Sequence, residues 1–84
     1  MITEYINAAM ETAKYEIIKD EEKFYGSISA LKGVWATGKT LETCRKNLES
    51  VLEGWIIIRI SKGLHIPSIS GISIKPAKKL ETYV

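Results

Sequence analysis

One cysteine, one histidine and two prolines are all that this chain of 84 residues has of each. The lone cysteine, Cys44, excludes an intrachain disulfide and any zinc site built on paired cysteines. The lone histidine, His65, sits between Leu64 and Ile66 with no second ligand at metal-binding spacing, so a structural or solvent-edge residue is expected. Charge of one sign is scarce too: 12 Lys and Arg against 10 Asp and Glu leave +2, too little to argue nucleic-acid binding from charge alone. Long apolar runs are missing. The richest, Val51 to Ile60, is broken by Glu53, Gly54 and Arg59 and falls far short of a bilayer span. Met1 to Met10 lacks the basic-then-apolar layout of a signal peptide. A cytoplasmic protein without a membrane segment is the expectation.

What is present is an ordinary globular composition, 45% apolar and 26% charged. A chain this short builds one domain, 1–84, with one small core and a thin stability margin, for which oligomerisation is a common remedy. Ile2, Tyr5, Ile6, Ala9, Met10 and Ala13 recur at helical spacing, predicting a short amphipathic helix over 3–13. Tyr15 to Lys19, Phe24 to Ser29 and Val34 to Thr37 read as strands joined by short links, which predicts an antiparallel meander. Gly38 gives backbone freedom at a corner and Thr40 caps a helix over 41–62, closed by Gly63 and Pro67. Its apolar stripe is Leu41, Cys44, Leu48, Val51, Leu52, Trp55 and Ile56. Gly54 inside it suggests close approach of another backbone. Ile72-Ser73-Ile74 alternates like a short fourth strand, closing a core over 15–74, and 75–84 reads as a basic tail. The fold class is therefore α+β: a three-stranded antiparallel meander plus a short fourth strand, one long helix packed on the sheet, and an extra short N-terminal helix.

Both faces of such a sheet carry apolar surface, and one helix covers only one of them. The second needs the N-terminal helix or another subunit. Tyr25 and Trp35 on that face, with Trp55, Ile57 and Ile58 at the end of the long helix, are the candidate interface residues. Cys44 near a helix start could have a lowered thiol pKa, although a small core-filling residue is the stronger reading. Gly38-Lys39-Thr40 superficially resembles the end of a phosphate-binding loop, but Val34 and Trp35 fill the region before it and no nucleotide site is expected. Asp20, Glu21 and Glu22 cluster in one turn, whereas metal or acid–base chemistry needs carboxylates converging from separate elements. No catalytic residue, cofactor or metal is expected.

Several short motifs occur in order. Tyr15-Glu16-Ile17-Ile18, an acidic turn and Phe24-Tyr25-Gly26-Ser27-Ile28 resemble the opening hairpin of HicB-like antitoxins. Leu31-Lys32-Gly33-Val34-Trp35-Ala36-Thr37-Gly38-Lys39-Thr40-Leu41-Glu42 is similar to that family's leucine-proline-glycine, strand and glycine-aspartate-threonine helix start, with Lys32 in place of the proline and Lys39 of the aspartate. Leu64-His65-Ile66-Pro67 matches the apolar-proline segment after the helix. The resemblance implies a partial RNase H-like fold without nuclease carboxylates. It also implies self-association as a dimer or tetramer, and a small HicA-type mRNA-cleaving toxin as partner. A DNA-binding domain, common in the family, is not expected, since about ten residues follow the expected last strand. A non-enzymatic interaction module is thus the leading expectation. The alternatives are a nucleic-acid binder using Lys75, Lys78, Lys79 and the Tyr25/Trp35 face, and a vestigial nuclease.

Overall fold

The computed structural model describes residues 2–74. Lys75, Lys78 and Lys79 lie outside the described residues. The order is α1 (Ile2–Glu11), β1 (Lys14–Ile18), β2 (Lys23–Ser27), β3 (Trp35–Gly38) and α2 (Leu41–Lys62). The strands form an antiparallel meander, β1-β2-β3, with Tyr15 opposite Gly26 and Gly26 opposite Ala36. Two local devices set the links. Glu22 takes a positive φ of 51° at the end of the β1–β2 turn. Between β2 and β3, Val34 donates to the Leu31 carbonyl at 3.3 Å around Gly33, whose φ of 85° is one that only glycine adopts at little cost.

The α2 bounds match those expected from spacing and caps. Thr40 is extended and its hydroxyl accepts from the Thr43 amide at 3.0 Å. Gly63, with φ 66°, turns the chain so that the Gly63 and Leu64 amides bond the Ile60 and Arg59 carbonyls. Cys44, Leu48, Leu52 and Ile56, spaced by four, point into the core and are fully buried. Leu41 and Val51 do not belong to that stripe. They are 49% and 37% exposed, Leu41 in the first turn and Val51 on the side turned from the sheet.

Small residues let α2 sit close to the strands. A Cβ on Gly26 would lie 2.9 Å from the Tyr15 ring and 3.2 Å from Cys44 Sγ. One on Gly38 would overlap the backbone of Thr43 and Cys44. Gly38 is not at positive φ, so the corner needs glycine for space, where the sequence suggested backbone freedom. Gly54 is the opposite case. No described atom lies within 4 Å of a Cβ built there, so the close approach of another backbone expected at Gly54 is not found among the described residues.

α1 packs beside α2. Tyr5, Ala8 and Ala9 share one buried cluster with Leu48, Leu52, Ile56, Ile28 and Val34. The buried Tyr5 hydroxyl donates to the Pro67 carbonyl at 2.6 Å, tying α1 to the segment after α2, and burial raises its pKa. That segment adds Ile66, Ile69 and Ile74 to the core. The short fourth strand expected at Ile72-Ser73-Ile74 is not there. Ile69 and Ile72 exchange two backbone bonds across Ser70 and Gly71, both at positive φ, and close a tight turn. Its backbone bonds are satisfied within the turn, and no ladder to the sheet forms among the described residues.

Candidate interaction surface

Alternation along the strands gives the sheet two unlike faces. Tyr15, Gly26, Ala36 and Gly38 face α2. Lys14, Glu16, Ile18, Lys23, Tyr25, Ser27, Trp35 and Thr37 share the other. No described helix covers that second face, since α1 has gone to the side of α2. Tyr25 and Trp35 meet there diagonally across β2 and β3, with ring centroids 5.8 Å apart and planes at 27°. The pair fixes both rings, yet Trp35 remains 52% exposed. An exposed tryptophan held in a set orientation by Tyr25, with no described helix over it, is a large apolar anchor.

A second bare surface runs along α2. Ser50, Val51, Gly54, Ile57, Ile58 and Ser61 recur at intervals of three and four on the side turned from the core, whereas Asn47, one turn earlier, reaches back to donate to the Thr37 carbonyl of β3 at 2.8 Å. None carries charge, in a chain that is 26% charged. Ile57 is 65% and Ile58 54% exposed. Trp55, predicted beside them, belongs elsewhere: it is half-buried, with the Arg59 guanidinium 4.9 Å over its ring. The five candidate interface residues thus fall into three places: the open sheet face, the outer side of α2, and a notch beside its last turns. The Arg59 stack was missed in the sequence, although the Trp-to-Arg spacing of four was legible.

Chemistry elsewhere is thin. The Cys44 thiol is buried, as its reading as a small core-filling residue expects, lies 3.6 Å from the Ala36 carbonyl, and burial pushes its pKa up, opposite to the lowering of the alternative reading. Burial likewise raises Tyr15, partly offset by the charge of Arg45. Asp20, Glu21 and Glu22 are exposed in their turn, with Glu21 2.9 Å from Lys23 Nζ. Among the described residues no three His, Cys, Asp or Glu come together to hold a metal. No described helix is long and apolar enough to cross a membrane. Gly33-Val34-Trp35-Ala36-Thr37-Gly38-Lys39-Thr40 satisfies the spacing G-x-x-x-x-G-K-T in full, so the filled region before Gly38 does not by itself dismiss the motif. Geometry argues against a phosphate cradle there. Trp35 to Gly38 are extended and paired with β2, so this stretch is a strand where the motif needs a loop of free amides.

Residues 4–67 match the UPF0150-like family model. The chain belongs to the UPF0150-like family, which is related to the HicB-like antitoxins. It is also similar to the crystal structure of TTHA0281 from Thermus thermophilus, at 44% identity and a TM-score of 0.84, covering 88% of this chain and 91% of that one. No curated protein matches. The UPF0150-like match spans both helices and all three strands, so both bare surfaces belong to the shared part of the fold.

Proposed function

We propose that this UPF0150-like chain is a non-catalytic interaction module of HicB-like antitoxin type. It associates with itself and covers the active site of a small HicA-like mRNA-cleaving toxin. The supporting observation is the pair of unlike bare surfaces on so small a core: Trp35 with Tyr25 on the sheet, and Ile57 with Ile58 on α2.

The α2 strip suits a second copy. A two-fold contact must match itself. With two α2 helices antiparallel about Gly54, Val51 would stand opposite Ile57 and Ser50 opposite Ile58. Apolar then meets apolar at the first pair, and Gly54, with no described atom within 4 Å of a Cβ built there, permits close approach. The sheet face mixes Trp35 and Tyr25 with Lys14, Glu16 and Lys23, a pattern suited to a different partner.

Light scattering on the purified chain is expected to give a dimer or larger assembly that Ile58→Lys reduces to monomers. A wild-type monomer at all concentrations would remove the self-association. The toxin part is tested by co-expression with a HicA-like toxin: the chain should co-purify with it and suppress mRNA cleavage, and Trp35→Ser should release both effects. A second reading rests on the same rings, which could stack on unpaired bases. It predicts binding to single-stranded RNA that weakens steeply with salt. No mobility shift at low salt would dismiss it.

A further inference from the structure

Arg59 is held on two sides. Its guanidinium lies 4.9 Å above the Trp55 ring one turn back, and its Nε donates to the His65 carbonyl at 2.8 Å. Those contacts fix the plane of the fork, and neither uses an Nη group among the described residues. The notch beside it, about 280 Å³, is floored by buried Leu31 and by Pro67, with Lys32 and His65 on its rim. No described aspartate or glutamate lines it. The cleft between α1 and α2 provides a contrast, because there Arg45 shares the lining with Glu11 and Glu49. Among the described residues, one arginine thus shares its cleft with two carboxylates, and the other has only Lys32 and His65 as ionisable neighbours in its notch.

We propose that the Lys32–Arg59–His65 notch binds a phosphate group, free or as the dianionic end of a phosphomonoester. An arginine fork matches two oxygens of a phosphate at once, and a lysine beside it supplies a second positive charge. Two cations and an imidazole suit a dianion better than a single carboxylate. The stack on Trp55 and the bond to His65 have already ordered the guanidinium, so a ligand need not immobilise it. Lys32 and His65 are exposed, so binding is salt-sensitive and modest in strength. This site is independent of the interaction-module reading, which stands or falls on other residues.

The test is a nuclear magnetic resonance titration of the full chain with inorganic phosphate and with adenosine monophosphate, against sodium chloride and acetate at equal ionic strength. Saturable shifts at the Trp55 indole and at Arg59 Nε are expected with both phosphates and not with chloride or acetate. Equal affinities would mean that the phosphate group alone is read. Tighter binding of the nucleotide would mean that the notch also takes its ring. Arg59→Lys keeps the charge but loses the fork and should weaken binding by about tenfold. Lys32→Glu, at an exposed turn position, should abolish binding while leaving the circular dichroism unchanged. Shifts that follow ionic strength alone, or phosphate binding that survives Lys32→Glu, would overturn the site.

Discussion

The same three strands present two surfaces of opposite construction. Toward α2 they offer glycine and alanine, Gly26, Ala36 and Gly38, over which a helix backbone comes close enough to bury Cys44 and Leu48 completely. Away from α2 they offer Tyr25 and Trp35, large rings packed on each other and open to water. On β2 and β3 the small side chains mark where the chain's own helix is seated, with the Tyr15 ring of β1 packed beside Gly26. The Tyr25–Trp35 pair marks a surface that no described helix covers. Two glycines repeat the lesson, since a Cβ on Gly38, in β3 beneath α2, would meet helix backbone, and one on Gly54, within α2, would meet nothing among the described residues.

The covered side should therefore dominate stability. Leu52→Ala, at a position with no exposure, is expected to cost about 2–5 kcal/mol in urea unfolding, from lost burial and the cavity left behind. Gly38→Ala comes next at about 1–3 kcal/mol, because its methyl would meet fixed backbone that cannot rotate away. Gly26→Ala is the control on the same face, and should cost less because the Tyr15 ring can turn. If Gly26→Ala proved the more damaging, α2 would not be seated on Gly38 as described.

Much of the covered side was legible in the sequence. Thr40 and Gly63 set both ends of α2, and leucines four apart set its buried stripe, because caps and periodicity are local signals. Topology followed from short links. The fourth strand failed for a reason equally local: Ser70-Gly71 closes a two-residue turn that uses the backbone bonds of Ile69 and Ile72 internally. The side on which α1 would lie was not legible, since its stripe of Tyr5, Ala8 and Ala9 fits any apolar surface. Nor was the Arg59 notch, which depends on Lys32 and His65 arriving from separate loops. The chemistry of Gly33–Thr40 shows the limit most plainly, because a complete phosphate-loop spacing folded as a strand.

Alkali gives a smaller and more selective effect on the covered side. Burial raises the pKa of Cys44, Tyr15 and Tyr5, so the folded chain holds protons that the unfolded chain has begun to release. The unfolded state then binds fewer protons, and stability falls as pH rises. The loss begins near the thiol's ordinary value of 9.0 and deepens past the phenols' 10.0. Urea midpoints measured from about pH 8 to 11 should decline over that window, and Cys44→Ala should delay the onset. An onset unchanged in that variant would mean that the thiol plays no part in it.

The smallest change in stability is expected on the open side, and it is the one that separates the two faces most cleanly. Trp35 is half exposed and touches mainly Tyr25, so Trp35→Ser removes one ring contact and little burial. Its cost to unfolding should stay within about 0.5–1.5 kcal/mol, the range for an aromatic pair. Loss of toxin binding, by contrast, should be nearly complete, because a partner resting on this face would lose its largest anchor. Surface plasmon resonance against a HicA-like toxin, beside urea unfolding of the same variant, measures both quantities. A variant that unfolds like Leu52→Ala would show that the ring pair is part of the core. One that keeps both its stability and its partner would show that the exposed tryptophan is not the anchor, and the interaction would have to be sought on α2 instead.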